Sequence, residues 1–272
     1  MSFTSVVGSS FGGLSLNSGQ RLAVKAALLK LSLQEKLENI VFWGKIMGTE
    51  KDYLIAKNLN AGKMEFSKTF YVSVDDGVKF SNLLPISEEK AALASAIKFE
   101  MFTGNPQNRY GDAPEEEEPE EGEEKKPDAR LSEEERLFYV VSKIDHETSI
   151  VPTGSYVCTP TSRVVKNPEF SGLSMEAAKK LVSYSMMRQP ESKQIITKNK
   201  VRGASNTVGF LDPLNNKPTG TWCVKTDETG LMVTIRNYRW IGFEFHTLVG
   251  ESWFESAYFG DGLANEDLAL MV

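Results

Sequence analysis

The residues that could do chemistry in this chain are few and scattered. Gly8-Ser9-Ser10-Phe11-Gly12 has the G-x-S-x-G spacing of a nucleophile elbow. That turn presents its serine only where it follows a central strand and opens a helix. Here it falls in a Ser/Gly-rich stretch near the N-terminus, where composition alone produces such matches. His146, His246, Cys158 and Cys223 could supply four zinc ligands, but structural zinc sites use closely spaced ligand pairs and these four are dispersed. Ala61-Gly62-Lys63-Met64 ends like a phosphate loop, without the upstream glycine or the following Ser/Thr such a loop needs. Asp75-Asp76 could form a catalytic carboxylate pair, although beside Gly77 the pair reads as a turn. The glutamate run from Glu115 to Glu124 lacks the ordered oxygen spacing of a calcium loop and reads as a solvated spacer. Cys158 and Cys223 make no disulfide framework; a single bridge is geometrically feasible, and buried free thiols are the simpler expectation. No catalytic residue, metal site or cofactor site is predicted.

Composition sets the class. Of 272 residues, 40% are apolar and 25% charged, the balance of a globular chain that buries a core without disulfide or metal staples. Nine acidic residues and no basic one lie between Asp112 and Glu124. Removing these nine from a net charge of −6 leaves +3, so the remainder is nearly neutral. Totals of this kind give no concentrated Lys/Arg face for displacing counterions from phosphates, and nucleic acid is not an expected partner. The opening MSFTSVVGSSFGG lacks the basic and apolar segments of a signal peptide, and no N-x-S/T acceptor occurs. No stretch approaches the ~18 apolar residues of a membrane span. A cytosolic or cytoskeletal setting, without membrane contact, is expected.

The elements that would position these residues do not alternate regularly. Residues 1–17 read as a flexible N-terminal arm. With Ser18 as cap, Leu22, Val24, Ala26, Leu28, Leu29, Leu31, Leu33 and Leu37 predict one core-facing helix to about Leu37. Ile40–Met47 and Tyr53–Ala56 predict an antiparallel pair. Phe70–Val74 and Val78–Phe80 predict a second pair around the turn Asp75-Asp76-Gly77. Ser87 opens an alanine-rich helix to about Phe99, with Glu88 and Glu89 at its positive end. Residues 105–130 hold no branched aliphatic side chain and a dense block of like charge; they cannot offset their chain entropy and are expected to be a disordered acidic loop.

Beyond the loop, Ser132-Glu-Glu-Glu135 is a capping box. Leu137, Val140, Val141 and Ile144 give the helix behind it an apolar pattern, while its aromatic and β-branched content leaves a strand from Phe138 open. Ile150–Pro152 and Tyr156–Cys158 read as short strands, and Ser174 caps a helix from Met175 to about Met186. The C-terminal quarter reads as a meander of Trp222–Lys225, Leu231–Arg236, Trp240–Leu248 and Ser252–Phe259. Phe243, Phe245 and Thr247 share its apolar face, with Glu244 and His246 opposite. The fold class is therefore α+β, a mostly antiparallel β-sheet or meander with several packing helices, interrupted by the acidic loop. Residues 18–104 and 131–272 are two halves of a single domain.

Several segments resemble a known family in the same order. They are Val41-Phe-Trp-Gly-Lys-Ile-Met-Gly48 with Asp52-Tyr-Leu-Ile-Ala56, Phe102-Thr-Gly-Asn-Pro106, and Ile150-Val-Pro-Thr-Gly154. Phe170-Ser-Gly-Leu-Ser174 with Glu176-Ala-Ala-Lys-Lys180, Gly220-Thr-Trp222, and Tyr258-Phe-Gly-Asp-Gly262 through Asp267-Leu-Ala-Leu-Met271 complete the set. Together they resemble the radial spoke head protein 9 family of motile cilia and flagella, over most of residues 20–272. The glutamate-rich loop and the N-terminal arm depart from the family pattern. The resemblance implies a non-catalytic structural subunit of the axonemal radial spoke head, packed with radial spoke head proteins 4 and 6 and other head or stalk subunits. It implies contact with the central apparatus through the assembled head, a part in relaying signals to the dynein arms, and no cofactor. Permanent interfaces are rich in aromatic residues, and Phe42, Trp43, Tyr53, Trp240, Trp253 and Phe254 are the candidate anchors, each either core or interface. The alternative reading is a chaperone that binds histones or other basic proteins through Glu115–Glu124.

Overall fold

In the computed structural model, two antiparallel meanders, one from each half of the chain, meet at a parallel seam. The structure describes residues 16–37, 39–59, 68–111, 130–159, 164–188, 211–214 and 219–268. The Gly8–Gly12 motif, the Gly62-Lys63 segment and the tract Glu115–Glu124 lie outside the described residues. The first meander comprises β1 (Ile40–Ile46), β2 (Tyr53–Leu59), β3 (Lys68–Ser73) and β4 (Ser81–Leu83). The second comprises β5 (Trp222–Thr226), β6 (Met232–Asn237), β7 (Phe243–Leu248) and β8 (Phe254–Gly260). They form one eight-stranded sheet in the order β5-β6-β7-β8-β1-β2-β3-β4. All neighbours are antiparallel except β1 and β8, which run parallel with Gly44 opposite Tyr258 and Ile46 opposite Gly260. Gly44 permits that seam, because a Cβ there would stand 2.1 Å from the Tyr258 carbonyl oxygen.

β1 serves both faces of the sheet. Its register against β2 slips between Phe42 and Gly44, the signature of a bulge that inserts one extra residue. Ile40 and Phe42 pack with Leu54, Ala56 and Tyr71 on one side. Trp43 and Ile46 pack with Tyr53, Ile55 and Val72 on the other. Alternate strand residues point to opposite faces, so without the bulge Phe42 and Ile46 would share one side.

A helix covers each face. α1 (Ser18–Glu35) lays Val24 and Leu28 on the first cluster. After α2 (Glu88–Ala96), α3 (Glu133–Thr148) lays Leu137, Val140, Val141 and Ile144 on the second, against Trp43, Phe245 and Tyr258. The cap of α1 is Asn17 rather than Ser18: Asn17 Oδ1 accepts from the Gln20 amide at 2.7 Å, and Gln20 Oε1 accepts from the Asn17 amide at 3.2 Å. Ser87 caps α2, which ends at Ala96 rather than Phe99. α3 carries the expected Ser132/Glu135 capping box and is helical through Phe138, which closes the strand alternative there. The Asp75-Asp76-Gly77 turn forms, with φ of 47° at Asp76 and 86° at Gly77, but the strand after it is Ser81–Leu83 and not the expected Val78–Phe80. α1 sits against this turn, since a Cβ on Gly77 would come within 2.5 Å of Val24 Cγ2.

Two longer segments also depart from expectation. α4 (Met175–Ala178) is a single turn, followed by a 3-10 turn at Leu181–Ser183 and a strand at Tyr184–Met186. That strand pairs with Ile150–Pro152, and the Tyr184 hydroxyl donates to the Ala178 carbonyl at 2.8 Å. Sheet pairing outweighs the helix propensity of the alanine-containing stretch, since propensity differences are only tenths of a kcal/mol per residue, at most about 0.7. Within the segment 105–130, residues 105–111 are structured, because Arg109–Tyr110 pairs with Leu131–Ser132. Residues 112–129 lie outside the described residues.

Candidate interaction site: the anchors of α3 and the exposed apolar surface

α3 has carboxylates near both ends, and each fastens it to a different part of the molecule. Glu133 is fully buried. It accepts hydrogen bonds from the Tyr53 hydroxyl (2.8 Å), the Thr103 amide (2.9 Å) and hydroxyl (2.7 Å), and the Gly104 amide (2.8 Å). Asn108 Nδ2 (3.3 Å) and the Tyr110 hydroxyl (2.9 Å) complete its shell. Burial alone would raise this carboxyl, but donors from Thr103, Gly104 and Tyr53 outweigh it and hold Glu133 below the usual glutamate range. Burial and the same carboxylate push the Tyr110 hydroxyl up to about 12. Arg136, one turn along α3, stacks on Phe102 and Tyr110 with its guanidinium carbon 4.4 and 4.8 Å from the ring centroids. It also donates to the Tyr110 hydroxyl and the Glu100 carbonyl. The Phe102–Pro106 motif is thereby tied to the start of α3.

Asp145 anchors the other end. It accepts from Trp43 Nε1 at 3.2 Å, pairs with Lys57 at 2.8 Å, and pairs with Lys68. Burial opposes its charge, yet the two lysines prevail and hold the carboxyl well below the aspartate range. A carboxylate near a helix C-terminus is also disfavoured by the helix dipole, so these cations are what make Asp145 tolerable. Glu147 accepts from Trp240 Nε1 at 2.7 Å and pairs with Arg239 at 3.2 Å, joining α3 to the C-terminal meander. Glu133 and Asp145 are enclosed by structural partners and the half-buried Glu147 adds a third tie, an arrangement that fixes a helix on a sheet. Among the described residues no group of three or more His, Cys, Asp or Glu is placed to hold a metal ion, and no helix is long and apolar enough to cross a membrane.

The remaining sequence candidates are separated. His246 is buried on β7, with Nδ1 3.0 Å from the Thr234 hydroxyl and Nε2 3.4 Å from Glu244. The Glu244 carboxylate, expected on the open face, is buried against Arg236 at 2.7 Å. His146 is exposed on α3. Cys158 is a buried free thiol, which burial pushes up, and Cys223 is a half-buried free thiol.

Of the six aromatic candidates, Phe42, Trp43, Tyr53 and Trp240 are buried in the core. The polar atoms of the last three are engaged by Asp145, Glu133 and Glu147. Trp253 and Phe254 are half-buried. Phe254 packs on the Tyr156 and Phe245 rings at 6.3 and 6.1 Å, with Lys166 Nζ 5.5 Å from its centroid. It lines a cleft of about 420 Å³ with Val41, Lys57, Tyr156 and Val165.

Other exposed apolar side chains escaped the sequence reading. Phe99 and Val182 are 77% and 92% exposed. Leu22, Leu29 and Leu33, expected on the core face of α1, are 71%, 47% and 75% exposed. The signal that separates them is a second periodicity in α1, offset from Val24 and Leu28, which a single apolar count merges with the first.

The family model described as "Radial spokehead-like protein" matches residues 9–147. Curated relatives named "Radial spoke head protein 9 homolog" are similar over 96% of this chain and 94% of their own length. Identity is 32% with the Danio rerio protein, 30% with that of Homo sapiens and 28% with that of Bos taurus.

Proposed function

The chain belongs to the radial spokehead-like family, and from that premise we propose that it is a structural subunit of the radial spoke head of a cilium or flagellum. The observation that carries this reading is the similarity, over 96% of the chain, to relatives named as radial spoke head protein 9 homologs. In this reading the subunit packs with radial spoke head proteins 4 and 6 in the axoneme. Through the assembled head it helps relay signals between the central apparatus and the dynein arms. It acts through shape and not turnover. The buried and fully engaged carboxylates Glu133 and Asp145 support that, because a general acid or base needs a face open to substrate. Phe42, Trp43, Tyr53 and Trp240 then contribute by setting the shape of the subunit, while Trp253 and Phe254 keep part of their surface for a partner.

The test is a tagged full-length chain replacing the native copy in ciliated cells, followed by native purification from axonemes and mass spectrometry. Co-purification of the other spoke-head subunits, unaffected by deleting residues 112–126, is the expected result. Recovery of histones in place of spoke-head subunits, lost with that deletion, would establish the chaperone reading instead.

A further inference from the structure

α1 has two apolar stripes where a helix lying on a sheet needs one. Val24 and Leu28 are buried, and Leu31 packs beside them. Leu22, Ala26, Leu29 and Leu33 lie on the opposite side, all exposed. At about 100° per residue, these four fall within a strip roughly 60° wide, on the far side from Val24 and Leu28. Their spacing of four, three and four residues is that of alternating d and a positions in a two-stranded coiled coil. The flanking e and g positions facing such a partner are Ala23, Lys25, Lys30 and Ser32, of which the two lysines are exposed. The one acidic residue in α1 is Glu35, in its last turn.

We propose that the outer face of α1 docks a helix of a different polypeptide, apolar at its a and d positions and acidic at the flanking positions. This deepens the reading of the chain as an assembly subunit and rests on it. Charge argues against a second copy as occupant. Parallel pairing sets Lys25 against Lys30 of the other helix, and antiparallel pairing over the full seam sets Lys25 against Ser32 and Lys30 against Ala23, so a second copy brings no acidic group to either lysine. The tract Asp112–Glu124 has the right charge but no apolar side chain beyond alanine and proline to fill the seam. Residues 1–15 have apolar side chains but no acidic one to meet the lysines.

Two labelled helical peptides of four heptads, identical at a and d and carrying either Glu or Lys at e and g, would be titrated against the full-length protein by fluorescence anisotropy. The Glu peptide is expected to bind and the Lys peptide not. L29E/L33E, exposed and checked for folding by circular dichroism, is expected to weaken binding about tenfold or more. K25E/K30E is expected to reverse the preference. Equal binding of both peptides, binding of neither, or indifference to L29E/L33E would overturn the proposal. In isolated axonemes, a photo-crosslinker at position 29 is expected to capture a helix with acidic flanks from another polypeptide. Capture of residues 1–15, of a second copy, or of nothing while the chain sits in the spoke head would overturn the docking site alone. Absence of the chain from the spoke head would instead overturn the functional reading.

Discussion

Glu133 brings six donors to one buried carboxylate, drawn from β2, from the Thr103–Tyr110 segment and from Thr103's own hydroxyl. Removing the acceptor leaves the donors of the buried Tyr53 and Gly104 unpaired and loosens those of the half-buried Thr103, Asn108 and Tyr110, so Glu133→Ala is expected to destabilise by about 3–5 kcal/mol. Glu134→Ala, next in the helix and only half-buried, should change stability by less than about 1 kcal/mol. Urea unfolding at constant slope would measure both. The carboxyls of Glu133 and Asp145 both sit below their ordinary range in the folded protein. A depressed folded value gives stability that is fully present above the unfolded carboxylate pKa of about 4 and is lost as pH falls through the folded value. Urea midpoints taken from pH 7 down to pH 3 are therefore expected to drop below about pH 4.5, and less steeply in E133Q/D145N. Parallel profiles for wild type and variant would remove these two groups from the acid response.

At the scale of elements, the seam between β1 and β8 is the most exacting joint. A methyl group at Gly44 would collide with the Tyr258 backbone, with 2.1 Å to its oxygen and 2.8 Å to its nitrogen. Gly44→Ala is expected to cost about 3 kcal/mol or more, since backbone must move to relieve it. Hydrogen exchange should show the loss first at Met47, whose amide donates to the Gly260 carbonyl across the end of the seam at 2.8 Å; unchanged protection there would argue against the parallel junction. The two hairpins beside the joint were legible in sequence because a Gly-containing turn and alternating apolar residues are local signals. The joint itself was not, since β1 and β8 lie about two hundred residues apart and no local pattern pairs them. The bulge at Trp43 was hidden for a related reason: a continuous apolar run serves either face until its neighbours are known.

For the whole molecule, the acidic interruption is bracketed rather than free at its ends. Tyr110 lies opposite Leu131 in a short ladder, and the Tyr110 hydroxyl reaches both Glu133 and Arg136. The points where residues 112–129 leave and rejoin the fold are therefore neighbours, and a shorter connection can join them. Deleting 112–126 is expected to change folding stability by less than about 1 kcal/mol, because closure entropy varies only logarithmically with length. Urea denaturation would check this, and a larger loss would give those residues a structural role. Such tolerance also keeps the acidic tract separable from the α1 seam, so each can be varied alone in the assembly experiments.

Sequence alone determined what depends on neighbours along the chain. The α3 capping box, the Asp-Asp-Gly turn, the C-terminal meander and the α+β class all rest on spacings of four residues or fewer. The same readability extended to the family, to which the likeness runs over 96% of the chain. Tertiary structure decided which of several equivalent residues face inward, where the helix at Met175 stops, and that Glu133, Asp145 and Glu147 serve as anchors. Those outcomes depend on donors and cations from Tyr53, Lys57, Lys68, Thr103 and Trp240. Such partners are distant along the chain, and burial makes their pairing obligatory only once the fold has brought them together.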